Sequence, residues 1–333
     1  MDIVLNEGYE RHDGYPQQEA AMIVDSHVHL FFQGSDPESF FVGCARSGVA
    51  FFNKKTGEID GDVSSLLSAN IELLGDPDGD KLVGKMDEAG IDKAILLPLD
   101  FWLGCPKSEG MAIEEKNALY ARAVQRHPGR LLTHVGVDPR RGNALEILRR
   151  GMEEHGAVGL KLHPTTGFYP DEPVCMPLYR KALEYGIPVL IHSGNEPAPL
   201  RIRFSQPKYI DAVAAELPEL KIVIAHAGHG WWQEAIDLAS VKPNVYVDFS
   251  GWQMEYANGP DYFYRPLRAA IDTLGPWRVL FGSDGSMLDV ILSPTDWVQA
   301  LQEPRSPSGI RFHHEEIGIV LGRAAARLYR LEE

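Results

Sequence analysis

The chain has 333 residues, 44% of them hydrophobic and 24% charged, with a formal net charge of −15. That length and balance suit a globular protein with a sizeable core, and the acidity argues against nucleic acid or an anionic membrane surface as partner, since both want a basic patch. No apolar run approaches the roughly 18 residues of a bilayer span, and three widely spaced cysteines, Cys44, Cys105 and Cys175, do not make a disulfide framework, so a reducing, cytoplasmic setting is expected.

Residues 1–20, "MDIVLNEGYERHDGYPQQEA", are polar, lack the basic and apolar regions of a secretory signal, and are expected to form an arm. The remainder, 21–333, reads as a single barrel domain. A first strand is expected at "MIVDSH" (22–27), running into His27 and His29. Residues 31–79 then make a long excursion, rich in Gly, Asp and Ser but carrying the apolar patch "SFFVGCARSGVAFFN". A structureless loop of that length would be unusual, so it is expected to form an inserted lid or small subdomain.

From residue 80 onward, short apolar runs alternate with helical patterns. Strands are expected at 93–99, 131–137, 158–163, 188–193, 221–226, 244–250 and 278–284. They are continuous apolar runs, as for parallel strands covered on both faces. Helices are expected at Lys81–Ala89, Ile113–Arg126, Asn143–His155, Met176–Tyr185, Pro207–Glu216, Trp232–Ser240 and Pro260–Leu274. Gly90 and Gly186 supply the stops for two of them. The tail "HHEEIGIVLGRAAARLYRLEE" reads as one or two terminal helices. Eight strands alternating with helices imply an α/β fold of the (β/α)8 TIM-barrel type, with an insertion after strand one. A doubly wound open sheet is the competing architecture.

In such a barrel the site lies where strands end and βα loops begin. Strand one ends in His27 and His29, which share a face because residues two apart on a strand point the same way. Strand four ends in Lys161 and His163, strand five in His192, strand six in His226 with His229 just beyond, and strand eight in Asp284. Five strands thus bring ligand-type side chains to one end, each after an apolar run where an unpaired polar group would be costly. Imidazoles with a carboxylate suit Zn²⁺, Mn²⁺, Fe²⁺ or Co²⁺. A divalent ion with an open position would lower the pKa of bound water toward about 7. Asp284 could ligate and take that water's proton, and His226 could ligate or act as general acid/base. His127, His134, His155, His313 and His314 are read as structural or solvated.

The ordered set "DSHVHL", "MDEAGIDKAILLP", "GLKLHP", "ALEYGIPVLIHSG", "IVIAHAG", "NVYVDFSG" and "RVLFGSD" resembles the amidohydrolase superfamily, and within it the amidohydrolase-related branch that contains aminocarboxymuconate semialdehyde decarboxylase. The resemblance covers roughly 22–30 and 80–330. It implies one divalent metal, zinc most readily and manganese as the alternative, held by His27, His29, His192 and Asp284, with His226 as catalytic histidine. It also implies a homodimer, since relatives often pair through the barrel flank. In other branches a carboxylated lysine on strand four bridges two metals, a role open to Lys161. Two departures weaken a carry-over of decarboxylation: "GSDGSM" lacks the proline that the decarboxylases often carry after the strand-eight aspartate, and the long region after strand one does not align.

The leading functional expectation is metal-dependent hydrolysis, by an activated water, of an ester, lactone or amide in a small, carboxylated substrate. Non-oxidative decarboxylation of an aromatic or unsaturated acid is the alternative, because both reactions need the same ligands. A catalytically inactive metal-binding scaffold is the alternative of another class. Loop residues are the candidate substrate contacts: Lys161 and His163 at the barrel mouth, Arg201 and Arg203 as carboxylate clamps, and Trp231, Trp232 and Trp252 for ring stacking.

Overall fold

The computed structural model describes residues 22–57, 74–101, 103–105 and 110–331; the expected arm at 1–20 lies outside them. Eight parallel strands run in sequence order around a single sheet: β1 (Val24–Val28), β2 (Lys93–Leu96), β3 (Leu131–Gly136), β4 (Gly159–Leu162), β5 (Val189–Ile191), β6 (Ile222–Ile224), β7 (Val245–Asp248) and β8 (Val279–Leu280). The barrel closes between β8 and β1. Ser26 N donates to Phe281 O at 3.0 Å, Asp284 N to His27 O at 2.8 Å and His29 N to Gly285 O at 3.0 Å. All eight expected strands and the barrel architecture are present.

Helices cover the strands from outside. In chain order they are α1 (Glu38–Phe52), α2 (Asp80–Ala89), α3 (Ile113–Arg126), α4 (Ala144–Glu153), α5 (Met176–Tyr185), α6 (Asp211–Glu216), α7 (Trp232–Val241), α8 (Gln253–Asn258), α9 (Pro260–Leu274), α10 (Pro294–Gln302), α11 (His314–Gly318) and α12 (Ala324–Tyr329). Gly90 and Gly186 end α2 and α5 in the left-handed conformation, the backbone state that costs glycine least.

The strands are buried on both faces because each side meets apolar partners. Alternate residues such as Ala94, Leu96, Val189 and Ile191 pack outward on the helices. Ile95, Leu190, Val223 and Leu280 turn inward, where Ala325 and Tyr329 of α12 help to fill the barrel floor. On β1 the pairing register shifts between Asp25 and Val28. Val24 packs inside the barrel, and the shift brings His27 and His29, three and five residues on, to the interior as well. On β4, Leu160 and Leu162 pack outward, which leaves Lys161 and His163 for the barrel mouth.

Helix α1 falls within the expected 31–79 insertion. Its first turn joins a small apolar cluster above the barrel, with Phe31, Phe40, Phe41, Leu99 and Phe101. Lys116 of α3 pins the preceding loop through a buried ion pair with Asp36 at 2.5 Å. Gly43 lets α1 cross the β5 loop closely, since a Cβ there would lie 1.7 Å from Ala198 O.

Candidate metal centre

Two hydrogen bonds fix the tautomers of the β1 histidines. His29 Nδ1 lies 2.6 Å from the backbone carbonyl of Leu97, and a carbonyl only accepts, so Nδ1 carries the proton. His27 Nδ1 lies 3.1 Å from Asp248 Oδ2 and donates to that carboxylate. Burial first, then the Lys161 charge, pushes His27 well below the usual imidazole range, so the ring is neutral. The Nε2 atoms therefore present lone pairs, that of His27 also within 3.2 Å of Lys161 Nζ. They face Asp284 Oδ1 at 3.4 Å from His27 and 3.3 Å from His29. Three acceptors turned on one another repel unless a cation sits among them, and two ligands on one ion with bonds of about 2.0–2.2 Å stand roughly 3.0–3.5 Å apart.

Asp284 is held in place by its backbone. It has φ of 56° and donates its N–H to His27 O. Burial alone would raise its pKa, but His226, His29 and His27 outweigh that and hold it below the usual carboxylate range. Across the mouth, His226 and Ala227 also have positive φ, 55° and 47°, outside the ordinary range for residues with a Cβ. This turn is held by Asp248 Oδ1, which accepts from His226 N at 3.0 Å, and by Trp252 Nε1, which donates to His226 O at 2.9 Å. Gly251 keeps the gap between the two walls open, because a Cβ there would lie 3.1 Å from His226 Nδ1 and 3.2 Å from Asp284 Oδ2.

Two triplets of ligand-type atoms result, each with its atoms within 4.8 Å of one another: His27, His226 and Asp284, and His163, His192 and Glu196. The expected ligand His192 thus groups with the second triplet, while the expected catalytic His226 groups with His27 and Asp284. His192 Nδ1 lies 3.1 Å from His226 Nε2, and its Nε2 is buried without a hydrogen-bond partner. An orphaned imidazole nitrogen beside this cluster is what a ligand awaiting an ion looks like. The residues present therefore fit a divalent cation.

A model of the amidohydrolase family matches residues 107–331. The chain belongs to the amidohydrolase family. A curated relative, Protein fluG of Emericella nidulans, is 28% identical over 98 residues, which is 29% of this chain and 11% of the relative's own length. Among solved structures, 5-carboxyvanillate decarboxylase of Novosphingobium aromaticivorans, with bound manganese and 3-methoxy-4-hydroxy-5-nitrobenzoic acid, is 18% identical with a TM-score of 0.66, covering 93% of this chain and 97% of that one. A probable 2-pyrone-4,6-dicarboxylic acid hydrolase of Acinetobacter baumannii, with citric acid bound, is 17% identical with a TM-score of 0.60, covering 93% and 99%. At these identities the two structures share the barrel with this amidohydrolase.

The cluster opens into a cavity of about 680 Å³. Lys161 and His163 line it as expected. Lys161 Nζ is buried 3.2 Å from His27 Nε2, and burial brings its pKa down to about 8. Glu196, not expected from the sequence, also lines the cavity and lies 2.8 Å from His163 Nε2; burial raises its pKa to about 8.

The proposed loop contacts go elsewhere. Arg201 and Arg203 are exposed, with their guanidinium groups over the Phe204 ring at 5.6 and 4.5 Å, and neither lines the cavity. A short helical turn at Ile202–Phe204 directs Phe204 inward and the flanking arginines to water. Trp252 is 2% exposed and packs with Phe249 and Phe263 behind the site. Trp231 precedes α7 and Trp232 packs toward the core; neither reaches the cavity. No helix among the described residues is long and apolar enough to cross a membrane.

Proposed function

We propose that this amidohydrolase is a metal-dependent decarboxylase of an aromatic or unsaturated acid. The observation that carries the reading is the setting of the polar cluster. It lies at the floor of a cavity whose walls are apolar, with Phe31, Phe41, Leu99, Met254, Leu288 and Ile291 among them, and Lys161 is the sole Lys or Arg among the described lining residues. Loss of CO2 disperses a localised carboxylate charge, so an apolar surrounding favours it.

His27, His29 and Asp284 would hold the cation, completed by His192 or His226. Manganese, as in the decarboxylase neighbour, and zinc both suit this donor set. Bound there, the ion supplies Lewis acidity and positive charge that fix and polarise an oxygen of the substrate. Lys161 adds a second positive partner for the carboxylate. Glu196, whose pKa burial raises to about 8, is paired with His163 and is the group placed to deliver a proton. The proton bonds to the carbon bearing the carboxylate. The bond to that carboxylate then breaks, its electron pair stays with the substrate carbon, and CO2 leaves, so that one hydrogen replaces one carboxylate.

Hydrolysis of an ester, lactone or amide is the second reading. It is supported by the ionised Asp284 carboxylate, a base beside the lone-pair cluster. The two are separated by incubating manganese- or zinc-loaded protein in D2O with aromatic acids, esters and lactones. Decarboxylation yields CO2 and a product with one deuterium on the vacated carbon. Acid formed from an ester or lactone without CO2 would establish hydrolysis instead.

A further inference from the structure

Helix α1 turns an apolar stripe toward the cavity. Phe41, Ala45, Gly48, Val49 and Phe52 recur at helical spacing, and all five line the same space. The opposing wall carries Met254, Met287, Leu288, Val290 and Ile291. At the opening, Phe52 is 60% and Val290 47% exposed, large apolar side chains left facing water. Such residues are placed at a cost unless something apolar covers them.

The helix does not close the gap itself. It is held at its start by the Lys116–Asp36 ion pair, in its middle by the Gly43–Ala198 approach, and beyond its end by a hydrogen bond from Lys54 to Asn258. The cavity of about 680 Å³ falls in the range of roughly 300–1,000 Å³ that accommodates drug-sized ligands and exceeds what one substituted ring fills. Lys161 offers a cation at the floor, and among the described lining residues no second Lys or Arg waits for another anionic group.

We propose that the channel between α1 and the Met287–Ile291 segment binds a long apolar body of the substrate, which is therefore an amphiphilic monocarboxylic acid with its carboxylate at the cluster floor and its tail along α1. The placement of the head rests on the decarboxylase reading; the placement of the tail rests on the stripe.

The test uses manganese-loaded protein and calorimetric titration with hexanoate, octanoate, decanoate and dodecanoate, alongside the matching n-alkanols. Affinity is expected to rise roughly two- to four-fold per methylene added. In Gly48→Phe the gain from the longer chains is expected to vanish. That ring enters the channel without clashing at its base, because a Cβ at Gly48 meets nothing within 4 Å; unchanged manganese content and circular dichroism confirm the fold. Equal affinity along the series overturns the proposal, as does a chain-length gain that survives in Gly48→Phe. If alkanols show the full gain and carboxylates bind no more tightly than alkanols, the tail channel stands and the carboxylate head at the cation falls.

Discussion

Asp248 orients two histidines at once. Its Oδ2 accepts from His27 Nδ1 at 3.1 Å, while its Oδ1 accepts the backbone N–H groups of His226 and Ser250, each at 3.0 Å. A carboxylate behind a ligating imidazole fixes its tautomer and increases its basicity. Asp248→Asn keeps the size but removes the charge and sets an amide N–H₂ against one of these donors. Metal affinity is expected to fall about 10- to 100-fold with the fold retained. Competition dialysis against a chelator measures this, and an unchanged affinity would reject the role.

The lone-pair cluster makes a prediction with opposite signs for the loaded and metal-free protein. In Asp284→Asn the new amide N–H₂ can donate to His27 Nε2 or His29 Nε2, which face Oδ1 at 3.4 and 3.3 Å. The metal-free variant is expected to melt at or above the temperature of metal-free wild type. Added manganese should then raise the melting temperature of wild type by mass action and leave the variant unmoved, with turnover reduced by at least about 100-fold. A variant that is still stabilised by manganese would show that Asp284 is no ligand.

Much of this site was readable in the sequence because the barrel turns strand ends into neighbours. His27 and His29 stand two apart after an apolar run, and Lys161 with His163 repeats the spacing, so the mouth-facing residues follow from periodicity. Asp248 escaped because "NVYVDFS" is an apolar strand in which one acid looks like a turn residue; its function depends on β7 lying between β6, which leads into His226, and β8, with β1 and His27 the next strand round the closed barrel. Glu196 sits in the irregular "NEPAP" loop, where no period says which way a side chain points. The arginines of the same loop mislead for that reason: their charge is legible, their direction is not. Trp252 was visible as an aromatic near the site, yet it packs behind His226 and holds the strained turn. The stripe on α1 shows in "SFFVGCARSGVAFF", but only the fold reveals that it meets a cavity and not the core.

Lys116 and Asp36 form an ion pair in which both side chains are almost wholly buried, 3% and 2% exposed. Asp36 also accepts from Ser35 Oγ at 2.7 Å, and Lys116 Nζ donates to Leu99 O at 3.0 Å. Removing one member leaves a buried charge without its counter-charge. Lys116→Met is expected to cost about 3–5 kcal/mol in urea unfolding. Lys116→Met combined with Asp36→Leu should recover much of that loss, because the desolvated charge disappears with its partner. A double variant as unstable as the single would mean that the pair is needed for packing and not for charge balance.

His134 provides a pH test at a residue outside the proposed ligand set. It is buried on β3, its ring centroid 5.4 Å from that of Tyr329 on the barrel floor, and a Cβ at Gly159 would lie 2.3 Å from its Nε2. Burial, and then the Lys161 charge, lowers its pKa from 6.5 to about 3. The folded state thus holds the ring neutral, while the unfolded chain takes up a proton below about pH 6.5. Below that pH the unfolded state binds more protons, so the contribution of His134 is complete above it and declines as pH falls toward 3. The full loss is about 5 kcal/mol. His134→Leu cannot titrate, so the stability difference between wild type and variant should shift in the variant's favour on acidification from pH 7 to 4. Urea unfolding at stepped pH measures that difference. Parallel pH profiles for the two proteins would show that the ring at position 134 titrates alike in the folded and unfolded states, and that burial at the barrel floor does not govern its charge.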